Sequence, residues 1–129
     1  MSFEEDQGER LAAEIASLGV KFPQALFVKR DGLIRILLGV RGRYGDYLCE
    51  LTYPRDFPWA MMDVHVVSPK LRRCPHLLSG NRLCVCHGTD VTRQTSARSY
   101  AEWTVGWIRR YEDFLDGKPW KDDRYPDER

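Results

Sequence analysis

The sequence predicts an α+β domain made of an N-terminal helix, a four-stranded antiparallel meander, a long loop and a C-terminal helix. Three observations carry this. Apolar residues recur at helical intervals near both ends of the chain. Between them lie four runs of strand character joined by short connections. One irregular stretch, rich in cysteine and histidine, then separates the strands from the last helix. The 129 residues suit a single domain, taken as residues 1–120, followed by a charged tail over 121–129. Hydrophobic residues make up 43% of the chain, enough for a modest core.

Residues 3–18 read as an amphipathic helix. Leu11, Ile15 and Leu18 share a face, with Glu5, Glu9, Arg10 and Glu14 largely elsewhere. Gly19 supplies a stop, and Pro23 cannot continue the helix. Residues 25–30 and 33–40 form the first two strands around Asp31-Gly32. That pair favours a type I′ turn because both central residues need positive φ. Residues 47–53 and 62–67 form the third and fourth strands, and the short connections imply a meander. Cys49, in mid-strand, reads as a buried and inert thiol. His65 alternates with valines and reads as a surface or satisfied histidine.

Between the last two strands, Pro54 and Pro58 remove two backbone donors and forbid a ladder. The aromatics of residues 53–59 can bury against the sheet edge and make this loop rigid. Ser68-Pro69 closes the fourth strand, and no regular element is legible from there to Ser96. Irregular stretches of that length are usually functional. In the last helix, Ser99-Tyr100-Ala101-Glu102 has capping-box spacing. Trp103, Trp107, Tyr111, Phe114 and Leu115 follow as a core stripe, with Val105 and Ile108 flanking. Gly117 is a natural residue just past the helix end, and Pro119 follows it.

The chemistry concentrates in residues 74–87, which hold three of the four cysteines and two of the three histidines. The net charge of +1 points to no polyanion, so no nucleic-acid partner is expected. No apolar run is long enough to span a bilayer, and the acidic start (Glu4, Glu5, Asp6) lacks a signal-peptide pattern. A cytoplasmic protein with reduced thiols is expected, with no membrane partner. There a cysteine cluster is more often catalytic or metal-binding than disulfide-forming. Cys74, His76, Cys84, Cys86 and His87 could supply four zinc ligands. Against this, Cys-x-His and Cys-x-Cys are tighter than the usual zinc knuckle, and the chain has core enough without a metal staple. Neither a metal nor a cofactor is therefore expected. The other chemistry is that of one accessible, ionisable cysteine. In an extended segment side chains two apart share a side, so Cys84 and Cys86 would compete for that role or oxidise.

The order of elements resembles that of the ubiquitin-conjugating (UBC) enzymes, and several residues carry the likeness. Tyr53-Pro54 followed by Phe57-Pro58 looks like the family's Tyr-Pro…Pro-Pro loop. Residues 64–69 look like its strand leading to the active site. Cys74-Pro75-His76 stands in place of the His-Pro-Asn signature. Cys84 lies nine residues after Pro75, where the family has its nucleophile, and residues 80–83 resemble the Gly-x-Ile/Leu stretch before it, one residue longer. The likeness covers roughly residues 3–116. The chain departs at His76, where the family has asparagine, and at Cys74, where it has histidine. The tryptophan usual after the nucleophile is absent, and the final pair of helices is missing or reduced to residues 99–116. The ending over residues 107–120 is similar to the compact bacterial branch found beside cGAS/DncV-like nucleotidyltransferases in CBASS anti-phage operons.

The resemblance implies a cysteine-dependent acyl transferase with Cys84 as nucleophile. It also implies that His76 donates a hydrogen bond to the oxyanion; bracing of the loop is the other role open to it. A neutral imidazole has one N–H and can do only one of these through it. Cys86 and His87 are secondary candidates, His87 as a group that lowers the thiol pKa if it lies close. Tyr53, Pro54, Pro58 and Pro75 shape the loops. The implied cargo is the C-terminus of the nucleotidyltransferase, with an activating enzyme as a further candidate partner. The alternatives are the conjugating enzyme of a bacterial ubiquitin-like modification operon, a zinc-bound interaction module, and a variant that only binds a partner.

Overall fold

Two helices flank one antiparallel sheet in the computed structural model, which describes residue 3 and residues 7–121. The order is α1 (Gly8–Lys21), β1 (Leu26–Arg30), β2 (Leu33–Arg41), β3 (Asp46–Thr52), β4 (Asp63–Ser68), β5 (Leu77–Leu78), β6 (Arg82–Leu83) and α2 (Ala97–Leu115). Beyond Lys121 the charged tail lies outside the described residues. Among the described residues no helix is long and apolar enough to cross a membrane.

The first four strands form the expected meander. Asp31 (φ 57°) and Gly32 (φ 76°) both take the left-handed conformation that the β1–β2 turn needs. Alternation sets the buried face. Ile34, Ile36, Leu38 and Val40 point inward from β2, Cys49 and Leu51 from β3, and Val64 and Val66 from β4. The sheet has six strands rather than four, in the order β1-β2-β3-β4-β6-β5. The extra pair is a hairpin of two-residue strands joined to β4 through the single pair His65↔Arg82. Two residues are too few to display a period, which is why the sequence does not announce them.

α1 does not stop at Gly19. It runs to Lys21, and Phe22 closes it by donating its N–H to the Leu18 carbonyl at 2.8 Å. Glu14 faces inward instead of Ile15, which is 45% exposed. Residues 11, 14 and 18 share one helical stripe, and the buried Glu14 carboxylate has partners there. It accepts the Tyr53 hydroxyl and the Ala97 N–H, each at 2.8 Å, and Arg10 lies 3.3 Å away.

That contact also moves the start of α2. The cap is Ser96, not Ser99; its hydroxyl accepts the Ser99 N–H, while Glu14 takes the N–H of Ala97. Glu102 pairs with Lys21 and Arg98 instead of closing a capping box. The tryptophan stripe is core, with Trp103, Trp107, Ile108 and Tyr111 buried. Gly117 (φ 88°) ends the helix as expected, donating to Phe114 while Lys118 donates to Asp113.

Two more buried carboxylates fasten the frame. Glu112 of α2 accepts the N–H groups of Arg43 and Tyr44 and the Tyr47 hydroxyl, at 2.9, 3.1 and 2.9 Å, pinning the β2–β3 turn. Gly42 lies so close that a Cβ there would collide with this carboxylate. Burial works against ionisation of Glu50, but hydrogen bonds from Arg30 and Arg35 outweigh it and hold the group below the usual carboxylate range.

Candidate active site

After β4 the chain turns down the edge of α2. Leu71 is buried, and the Arg72 N–H donates to the Tyr111 hydroxyl oxygen at 3.0 Å. The β5–β6 hairpin reverses at Gly80 (φ 71°) and Asn81 (φ 59°). The Asn81 side-chain amide donates to the carbonyls of Val66 and Pro69, at 3.3 and 3.2 Å, and clamps the hairpin to the end of β4.

His76 sits at the junction, with a left-handed φ of 61°. Such a conformation is uncommon for a residue with a side chain and persists when its surroundings hold it. Its carbonyl accepts two donors, the Cys84 N–H and the Trp107 indole N–H, each at 3.1 Å. One oxygen thus ties the backbone of Cys84 to the middle of α2. The imidazole lies 5.8 Å from the Trp120 ring, centroid to centroid.

The four cysteines have different surroundings. Cys84 is half-buried, its Sγ 3.8 Å from the Cys86 carbonyl, within reach of a weak S–H donor. Cys86 is only 4% exposed, and burial, followed by Asp90 and Cys84, pushes its thiol up to about 12. The two differ in burial, which their spacing does not announce. β6 ends at Leu83, and Val85 and Cys86 both turn into the core. Burial raises half-buried Cys74 to about 11. Cys49, fully buried, is raised to about 12 by burial and is the interior thiol that its strand position implied.

His87 is exposed at the head of a short 3-10 turn (Gly88–Asp90), where its N–H donates to the Asp90 carboxylate at 3.0 Å. Among the described residues no three His, Cys, Asp or Glu side chains gather as a metal ion would require. Cys74, His76, Cys84, Cys86 and His87 therefore do not assemble into the zinc set that their spacing allowed. In the proline-containing loop, Tyr53 and Phe57 are buried and pack edge to face at 4.8 Å, Pro58 is buried, Pro54 half-buried, and Trp59 exposed. The Arg93 guanidinium lies over the Trp59 ring at 5.5 Å and links this loop to the segment after Cys84. Pro75 is exposed beside His76.

A family model described as the type II CBASS E2 protein matches residues 14–126. The chain belongs to that family. The match spans most of α1, every strand, the loop from Cys74 to His87 and all of α2. Comparison with curated proteins and with solved structures finds no match. In this CBASS E2 protein the loop holds two half-buried thiols, Cys74 and Cys84, and the backbone of Cys84 is tied through the His76 carbonyl to α2. Sequence reasoning placed Trp107 only in the core and gave Trp120 no structural role. The signal for Trp107 was chemical: a buried indole N–H usually finds an acceptor.

Proposed function

We propose that this CBASS E2 protein carries the C-terminus of a partner protein as a thioester on Cys84. The observation that favours Cys84 over its neighbour is their unequal access to solvent. Cys84 is half-buried beside the His76 carbonyl, whereas Cys86 is sunk in the core with its thiol pushed up to about 12. In the first step the Cys84 thiol loses its proton, and the thiolate attacks the activated carboxyl carbon of the cargo. The new S–C bond forms as the activating group departs with the electron pair of its bond to that carbon. In the second step an amine attacks the thioester carbon, a C–N bond forms as the C–S bond breaks, the nitrogen gives up its surplus proton to solvent and the thiolate is restored. His76 donates its ring N–H to the oxyanion in each step, and one such donor is worth about 3 kcal/mol.

The cargo in this reading is a cGAS/DncV-like nucleotidyltransferase, handed over by an activating enzyme, and the outcome is priming of anti-phage defence. A reducing cytoplasm is the compartment that keeps Cys84 a thiol. Intact-mass measurement after incubation with activated cargo tests the reading. A thiol-labile adduct is expected that Cys84→Ala abolishes and Cys86→Ala leaves in place. The reverse pattern moves the nucleophile to Cys86, and no adduct on the parent protein leaves only a binding role. Running the nucleotidyltransferase beside a ubiquitin-like protein separates the two cargo classes.

A further inference from the structure

Close to Cys84 the sheet has an open edge. β5 is its last strand, and only β6 pairs with it. In an antiparallel ladder, pairs that exchange hydrogen bonds alternate with pairs whose N–H and C=O point away from each other. Cys84 donates to the His76 carbonyl, so the next pair, Leu77↔Leu83, is of the second kind. Leu77 therefore turns its backbone N–H and C=O outward, where an added strand could pair with them. A groove of about 530 Å³ opens here, lined by Arg73, Cys74, Leu77, Leu78 and Ser79. Leu77 and Leu78 give it apolar surface, and Leu78 is 48% exposed.

The segment that leads into the groove is basic. Lys70, Arg72 and Arg73 all lie exposed. Among the described residues none of these three side chains has an ion pair or a hydrogen bond. Arg72 uses only its backbone N–H, toward Tyr111, and the Asp63 carboxylate is taken by Arg82 at 2.8 Å. Uncompensated cations beside an apolar strip and an unpaired strand edge suit an extended peptide with acidic side chains. A single-stranded nucleic acid would find the cations but no ring to stack on, since no residue lining the groove is aromatic.

We propose that this groove reads the tail of the cargo and selects acidic residues upstream of its carboxyl end. The proposal rests on the thioester reading above, which supplies the tail. From the open edge to Cys84 is about two strand spacings, ~10 Å, a span that about three extended residues cover. The acidic positions therefore begin about four residues before the reacting carbon and lie against the three cations.

The test uses the full chain and two synthetic peptides of about ten residues with apolar carboxyl ends. One carries aspartates from about the fourth residue before its end, the other asparagines. In fluorescence anisotropy the acidic peptide is expected to bind about tenfold more tightly, with the gap closing at high salt. Its addition should shift the backbone amide signals of Leu77 and Leu78 in NMR. Arg72→Glu combined with Arg73→Glu should reverse the preference, so that a peptide with lysines at those positions binds best. With each peptide supplied as a C-terminal thioester, the Cys84 thiolate displaces the small thiol. Below saturation that exchange should run about tenfold faster from the acidic peptide. Equal binding of the two peptides, unmoved Leu77 and Leu78 amides, or tighter binding of a short single-stranded DNA overturns the proposal. Equal rates of adduct formation from both peptides also overturn it and leave the thioester reading standing. Selective binding of the acidic peptide with no adduct from either activated form overturns the thioester reading and leaves the groove its ligand.

Discussion

The frame and the loop of this protein are fastened by different chemistry. Glu14, Glu50 and Glu112 are buried carboxylates that each accept several donors and tie together elements far apart in the chain. Among the described residues, the segment around Cys84 is held by neutral donors to backbone carbonyls and ring contacts together with one exposed ion pair, Arg82–Asp63, and its charged contacts are exposed where those of the frame are buried. Hydrogen bonds to an ionised group contribute about 1.5–3 kcal/mol each, neutral ones about 1 kcal/mol. Elements held by the weaker kind open locally at lower free energy. Damage to the frame should therefore appear as lost stability, and damage to the loop as lost reactivity.

The largest expected effect is on the frame. Glu112→Ala strips the Tyr47 hydroxyl and the two N–H groups of the β2–β3 turn of their acceptor. A loss of about 3 kcal/mol is expected in urea unfolding, with adduct formation per folded molecule unchanged. Gly42→Ala drives a Cβ into the same carboxylate and shifts the unfolding midpoint in the same direction.

A smaller change in stability with a larger change in chemistry is expected on the loop side. Trp107→Phe keeps a buried aromatic ring but removes the donor to the His76 carbonyl. It should cost about 1 kcal/mol of stability while slowing thioester formation several-fold. Equal behaviour of Glu112→Ala and Trp107→Phe in both assays would erase the distinction between frame and loop.

A separate effect is one of pH. Folding holds the thiols of Cys49 and Cys86 at about 12, whereas unfolded cysteine ionises near 8.5. The unfolded chain therefore releases protons first as the pH rises. The stability these thiols contribute is whole below about pH 8.5 and declines from there toward pH 12, by at most about 1.4 kcal/mol per pH unit for each thiol. Cys86→Ala should remove one thiol's part of that slope in urea unfolding at pH 8 and pH 10.

Much of the frame was legible because its signals are periodic or local. Alternation from Ile34 to Val40 marks a half-buried strand, and Asp31-Gly32 and Gly117 mark points where the backbone turns left-handed. Glu14 was not legible, since a carboxylate on the buried stripe of a helix reads as solvent-facing until its partners, 39 and 83 residues away, are in place. The shift of the α2 cap from Ser99 to Ser96 has the same origin. Around the site, Cys74, His76 and Cys84 stand out in the sequence because they are close in the chain, but their arrangement in space does not follow from that spacing. The burial of Cys86 was not legible, because it depends on β6 ending at Leu83. The placing of Trp120 against His76 depends on a chain reversal whose outcome no spacing reveals.

The bond from Glu14 to the first N–H of α2 has a consequence for the order of folding. On a ribosome the acceptor is made 83 residues before its donor, so α1 cannot complete its burial, nor α2 its first turn, until the emerging chain has passed Ala97. The two ends of the protein then lock each other in one late, cooperative event, and nascent chains cut short of that alanine should be open to protease at α1.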